Sequence, residues 1–183
     1  LQIGTGILNC DNKFESYGEI DFTGNGRLKL SGDVTSLGNL DEAMGTVEYD
    51  GGNQNVIADN YNNLEIDQAG TKTLQGFTNV NGNFTIQSAA TYNITEYNNN
   101  ISGVSDINGT LKIGTGTFNA NSAFDATGGT IDFTANGRLQ LASTVTSLGT
   151  LDDQLGTVEY DGGTQNVLPD NYFNLEIDQS GLK

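Results

Sequence analysis

Gly45-Thr46-Val47-Glu48-Tyr49-Asp50-Gly51-Gly52 alternates apolar and acidic side chains and then closes on two glycines. In an extended chain successive side chains point to opposite sides, so Val47 and Tyr49 share one face and Glu48 and Asp50 the other. The same eight residues return as Gly156-Thr157-Val158-Glu159-Tyr160-Asp161-Gly162-Gly163. Outward from this motif, residues 19–72 align without a gap to residues 130–183 at an offset of 111, with 38 of 54 positions identical. Duplication therefore organises the chain, and it has to be read before composition. Residues 1–18 are matched by 111–129: Leu1-Gln2-Ile3-Gly4-Thr5-Gly6 returns as Leu111-Lys112-Ile113-Gly114-Thr115-Gly116, and the second copy gains one residue near Gly128-Gly129.

Inside the unit, strand-like runs begin at Ile20, Val47, Val80, Ile107, Ile131 and Val158, at successive offsets of 27, 33, 27, 24 and 27. Each is bounded by Gly, Asn or Asp, which favour turns. Short strands stacked at such intervals predict an all-β fold, a right-handed parallel β-helix (β-solenoid). The spacings give coils of about 24–33 residues, four to each 111-residue repeat. A β-sandwich would also use many short strands, but it leaves the finer recurrence without a cause. Leu37, Leu40 and Met44 have helical spacing, yet Gly38 among them favours a loop or a single helical turn. The whole chain, 1–183, reads as one continuous solenoid segment of a longer array, and the start at Leu1 without Met fits a stretch taken from a longer protein.

Composition narrows the function. Gly, Asn and Thr together make up more than a third of the chain, a mixture that suits strands and tight turns and disfavours helices. Seven basic against 23 acidic residues give a net charge of −16, which argues against nucleic acid and anionic membrane surfaces as partners. With no His, histidine triads, histidine zinc sites and histidine proton shuttles are excluded. The single Cys10 cannot form an internal disulfide, and its counterpart in the second copy is Ala120, so it reads as a small packing site. No apolar run reaches the length of a membrane span.

Paired acids are the remaining chemical candidates, since carboxylates on neighbouring coils could cleave acidic polysaccharides. Glu48, Asp50, Glu65 and Asp67 could supply them, but they recur as Glu159, Asp161, Glu176 and Asp178. A catalytic constellation occurs once per domain, whereas a solvated face is copied with the repeat. Arg27 and Arg138 recur likewise and read as turn-flanking surface charges. Asp50-Gly51-Gly52 is too short a match for a calcium repeat. The Thr-x-Thr pairs at Thr71/Thr73, Thr115/Thr117 and Thr144/Thr146 fall too irregularly for an ice-binding file. The sequons at Asn83, Asn93, Asn100 and Asn108 follow from composition; Asn in the coils suits left-handed turns or stacked amide ladders. Catalytic, cofactor-binding and metal-ligating residues are therefore expected to be none. A four-coil period would also keep Glu48 and Asp50 about 19 Å from their copies, four strand spacings, beyond the Debye length.

The string Val47-Glu48-Tyr49-Asp50-Gly51, Gln54, Val56, Tyr61, Asn63-Leu64, Ile66, Gly70, Lys72-Thr73-Leu74 and Val80-Asn81-Gly82-Asn83-Phe84-Thr85-Ile86 resembles the repeats of giant bacterial surface adhesins. These are the filamentous-haemagglutinin-like and autotransporter-like proteins, especially those of Bacteroidetes. The resemblance implies an extracellular, cell-surface, non-enzymatic stalk or filament serving adhesion, motility or matrix. It carries over no catalytic residue. Expected partners are neighbouring repeat units or end-to-end copies, with surface polysaccharide as a further candidate. The class-different alternative is a polysaccharide-binding or polysaccharide-cleaving module on the same fold.

Alternation predicts that Val47, Tyr49, Leu64, Ile66, Phe84, Ile86, Leu111, Ile113, Ile131, Phe133, Leu139, Leu141, Val158, Leu175 and Ile177 point inward. With no capping element evident at either end, unpaired strand edges are expected there.

Overall fold

The computed structural model describes residues 1–182; Lys183, the copy of Lys72, lies outside them. The described residues form no helix, only 26 short strands, all paired in parallel, in a β-solenoid of about nine turns. The parallel β-helix expected from the repeats is the fold.

Three strands make a turn, and every third strand stacks on one face, up to the final pair, Thr157–Tyr160 and Asn174–Ile177, which are consecutive strands. The first face carries Ile7–Cys10, Arg27–Leu30, Thr46–Tyr49, Asn63–Ile66, Phe84–Ile86, Ser105–Ile107, Phe124–Asp125 and Val145–Ser147. A second begins with a three-stranded sheet, Gln2–Ile3, Glu19–Phe22 and Asn39–Leu40. Along the chain it is followed by a seven-stranded sheet running from Asn60–Tyr61 through Thr117–Ala120 and Thr157–Tyr160 to Asn174–Ile177. The third has Phe14–Glu15 and Val34–Ser36, then six strands from Gln54–Val56 to Thr150–Leu151.

The turn is shorter than the sequence spacings suggested. Stacked partners are offset along the chain by as little as 17 (Thr46 and Asn63) and at most 22 (Asp125 and Ser147, at a bulge). Both the longer coil expected from the sequence and the count of four coils per repeat are thus corrected. The misreading has a simple cause. Ile20, Val47, Val80, Ile107, Ile131 and Val158 lie in the 4th, 8th, 13th, 17th, 21st and 25th strands. The recurrence is therefore mostly four strands, or one and one-third turns, and it walks round the prism.

The long repeat walks too. Thr46–Tyr49 is the 8th strand and its copy Thr157–Tyr160 the 25th, a difference of 17 strands or five and two-thirds turns. The first copy lies on the eight-stranded face and the second on the seven-stranded one. Identical sequence thus occupies different faces.

Alternation settles the interior. Every residue expected inward is buried except two near the C-terminal end. Leu175 and Ile177 are corrections, 44% and 47% exposed. They point to the interior side of the last strand, which pairs with Thr157–Tyr160 and has no strand beyond it among the described residues. The aromatic rings of Phe84, Tyr92, Phe118 and Phe124 pack mid-solenoid, with Phe84 5.1 Å from Tyr92 and 5.5 Å from Phe118. The identical strands Asn63–Ile66 and Asn174–Ile177 provide an internal control. Ile66→Ala should lower unfolding free energy by about 2–5 kcal/mol, and Ile177→Ala by less than about 1 kcal/mol. Equal losses in urea titrations would contradict the burial difference.

The segment around Gly38 forms a two-residue strand, Asn39–Leu40, and bends. Its exit at Gly45 has φ +82°, and a Cβ there would run into the Phe22 ring; Gly156 and Phe133 repeat the arrangement. Only glycine meets both demands without strain.

Candidate functional site: a charge cluster built twice

The copied acids and arginines come together, in a way that corrects their reading as solvated face and turn-flanking charge. Arg27 opens the strand Arg27–Leu30. Its side chain reaches past Thr46, its partner in register, to the two strands stacked beyond. There Glu48 and Glu65 are direct cross-strand neighbours. Arg27 Nη1 donates to the Glu48 carboxylate and, at 2.5 Å, to Glu65 Oε2. Lys29, in register beneath Glu48, adds ion pairs to Glu48 at 2.7 Å and Asp50 at 3.2 Å. Gln87 donates to Glu65 at 2.7 Å and Ser31 to Asp50 at 2.7 Å. Like charges do stack, though not copy on copy: Glu48 meets Glu65, and cations bridge the pair. Glu48 is buried as a result.

The second copy rebuilds the cluster on another face. Arg138 bonds Glu159 at 2.5 Å and Glu176 at 2.6 Å. Gln140 takes the place of Lys29 and donates to Glu159 at 2.8 Å. Bonding to Glu48 is the main cause of a Lys29 pKa above its ordinary value, with Asp50 assisting against burial. Burial would lower the Arg27 pKa, but the Glu65 and Glu48 carboxylates more than offset it.

The other candidates are structural acceptors or packing groups. Asp67 Oδ1 accepts the Gln68 N–H at 2.7 Å, and Asp178 does the same for Gln179; both glutamines have positive φ. Asp161, the copy of Asp50, follows the buried Tyr160 at the end of its strand. Cys10 packs against the core, and burial, then the Asp11 charge, raises its thiol pKa. Among the described residues no group of three or more His, Cys, Asp or Glu could hold a metal ion, and no helix is long and apolar enough to cross a membrane.

Two features of the outer surface differ from expectation. Thr71, Thr91, Thr110, Thr130 and Thr150 stack in strict register over five turns. Threonine does recur turn after turn, though not as Thr-x-Thr: the neighbouring file reads Thr73, Asn93, Lys112, Asp132. Asparagine forms the expected amide ladder. Asn79 donates to Asn60 at 2.7 Å and Asn100 to Asn79 at 3.3 Å. Among the described residues the left-handed positions other than glycine are Gln68, Ala89, Thr95 and Gln179, with no asparagine among them.

Three internal devices escaped the sequence reading. Gln54 staples a corner: Oε1 accepts the Gly51 N–H at 2.7 Å, and Nε2 donates to the Leu30 and Gly32 carbonyls at 2.8 and 2.7 Å. Gln165 repeats it. Tyr49 and Tyr61 close a circuit on one residue. The Ile57 N–H donates to Tyr49 Oη at 3.2 Å, and Tyr61 donates to the Ile57 carbonyl at 2.6 Å. That leaves Tyr49 to donate to Tyr61 across their 3.1 Å contact. Tyr160, Tyr172 and Leu168 repeat the circuit. Lys72 is buried and donates to the Gln68 carbonyl at 2.6 Å; burial lowers its pKa, with Asp67 and Asp50 opposing. For Gln54 and the tyrosines the available signal was retention in both copies. For Lys72 it was alternation, which places it in phase with Leu74.

Two shallow polar grooves lie on the faces. One, of about 270 Å³, is lined by Asp33, Asn53, Gln54, Asn55, Thr71 and Thr73. The other, of about 250 Å³, is lined by Thr46, Asn63, Leu64, Glu65, Asn83 and Thr85. Many of their polar atoms already serve the fold. Besides the Gln54 staple, Asn53 accepts the Thr71 N–H at 2.8 Å, and Asn63 donates to the Gly45 carbonyl and accepts the Asn83 N–H. No family model matches the chain, and neither a curated protein nor a solved structure matches it.

Proposed function

We propose that this chain is a non-catalytic structural module of a long extracellular β-solenoid fibre. It would serve as a stalk or adhesive filament on a bacterial surface, in adhesion, motility or matrix. The observation that carries this reading is the step of five and two-thirds turns between copies. A binding face grows along a solenoid only if each repeat adds its side chains to the same side. Here each copy turns its charge cluster to another of three faces, and the same face would return only after three repeats, or 17 turns. Such a rod has no preferred side, which suits a spacer better than a flat receptor. The carboxylates support the same reading, being tied to Arg27, Lys29 and Arg138 instead of converging on a cleft. The likeness of the repeat string to giant adhesins supplies the extracellular setting.

Immunogold labelling of intact producing cells tests that setting. Label on the outside of unpermeabilised cells is expected; label only after permeabilisation would overturn it. Incubation with acidic and neutral polysaccharides tests the class. The stalk reading expects no cleavage. Cleavage that disappears with Glu159→Gln or Asp161→Asn would replace the stalk with a polysaccharide-cleaving module.

A further inference from the structure

Two of the three faces stop and restart at the same level of the rod. On the second face Asn39–Leu40 ends the three-stranded sheet and Asn60–Tyr61 begins the seven-stranded one. On the third, Val34–Ser36 ends the two-stranded sheet and Gln54–Val56 begins the six-stranded one. The strands on either side of this break follow one another by a turn but are not paired. The first face alone crosses the level, with Arg27–Leu30, Thr46–Tyr49 and Asn63–Ile66 in continuous register. Side chains stand in for the missing ladders, and they do so beside the first face. Gln54 reaches down to the Leu30 and Gly32 carbonyls at one edge of it. Towards the other edge Asn62 donates to the Ala43 carbonyl at 3.2 Å and Asn60 to Glu42 Oε1 at 3.1 Å. Among the described residues no hydrogen bond joins the far corner, Leu37-Gly38, to the corner at 57–59 above it. The cluster of Arg27, Lys29, Glu48 and Glu65 lies across the break on the paired face.

We infer that this level is a hinge. The first face is its leaf, and the opposite corner opens and closes as the turns below swing against those above. Bending where all three faces are paired has to break backbone ladder bonds. Here it breaks side-chain bonds such as Asn60 to Glu42, while the ladder and the ion pairs on the first face stay made. Leu37 and Leu40 are buried below the break, and Val56 and Tyr61 above it. Their apolar contact makes the closed form the resting state and keeps the swing small. The inference uses the sheet topology alone and stands without the fibre reading.

The test uses the 183-residue chain in a Cys10→Ala background, with pulsed electron–electron distance measurement on three pairs of spin labels at exposed positions. Thr35→Cys/Thr150→Cys spans the break on the third face, six turns apart or about 29 Å along the axis. Asn55→Cys/Thr150→Cys lies wholly above the break on the same face, five turns or about 24 Å apart. Asn9→Cys/Thr146→Cys spans the break on the first face, seven turns or about 34 Å apart. The expected distribution for the first pair is at least about twice as wide as for the second, with a tail to longer distances. The third should stay as narrow as the second, because its labels sit on the leaf. Equal widths for the first two pairs would overturn the hinge. So would a third distribution as broad as the first, which marks unfolding of the early turns instead of a swing on the first face. Circular dichroism verifies the fold of each labelled variant.

Discussion

Raised above about pH 10, the protein will unfold cooperatively, with its buried tyrosines ionising as the β-structure is lost. Tyr49, Tyr61 and Tyr92 are completely enclosed. Burial pushes the Tyr49 hydroxyl from 10.0 to about 12, and raises Tyr61 and Tyr92 well above the ordinary value. Below 10.0 the hydroxyls are neutral in both folded and unfolded chains, so stability is intact. Between the unfolded and folded values only the unfolded chain gives up the proton, and stability falls as pH rises. For Tyr49 alone the loss is about 3 kcal/mol once pH passes about 12. The geometry adds a reason for cooperativity. The circuit through Ile57 needs both hydroxyl protons, and a phenolate at Tyr49 or Tyr61 removes one of its donors. Tyrosinate absorbance and far-ultraviolet circular dichroism should change together across one transition. Ionisation of all seven tyrosines near the free value, with the fold retained, would contradict the burial.

Arg27→Met will destabilise the protein by about 3 kcal/mol, because it leaves two stacked glutamates without their bridge. Glu48 is almost wholly enclosed and Glu65 largely so, and water cannot replace the lost guanidinium. Lys29 remains at Glu48, and Arg27 is itself one-third exposed, which together keep the loss at the lower end for a buried pair. Adding Glu48→Gln and Glu65→Gln to Arg27→Met should recover most of the loss, since the repulsion goes with the charges. Arg138→Met carries the same chemistry in another setting. Its partner Glu176 is 49% exposed and adds little, but Glu159 is only 6% exposed and keeps no other cation among the described residues, Gln140 being neutral, so Arg138→Met should also cost about 3 kcal/mol. No measurable loss from either arginine variant in urea denaturation would contradict this account of the cluster.

Much of the fold was legible because alternation and duplication act locally. Val47 and Tyr49 are buried for the reason their spacing gives, and Phe84 and Ile86 follow the same rule. The length of a turn was not legible, because a resembling strand need not lie on the same face. Val47-Glu48-Tyr49 and Val158-Glu159-Tyr160 look like a face repeating itself, yet the corners between them add up to two-thirds of a turn too many. That one error moved the charges. With a correct turn, Glu48 stands directly under Glu65, and Arg27, one turn before Glu48, falls within reach of both. The exposure of Leu175 and Ile177 lay beyond any residue-by-residue rule, since it depends on which strand has a neighbour above it.

Each 111-residue repeat spans five and two-thirds turns and brings its copy to a different face, and on that step the whole account of the rod depends. Thr35 and Thr146 are equivalent, exposed residues on strands Val34–Ser36 and Val145–Ser147, suited to spin labels as Thr35→Cys and Thr146→Cys in a Cys10→Ala background. Pulsed electron–electron distance measurement then reads the repeat directly. At one strand spacing per turn, their backbone separation is about 27 Å along the axis alone, and more once the change of face is included. A separation near about 19 Å, four strand spacings on one face, would contradict it.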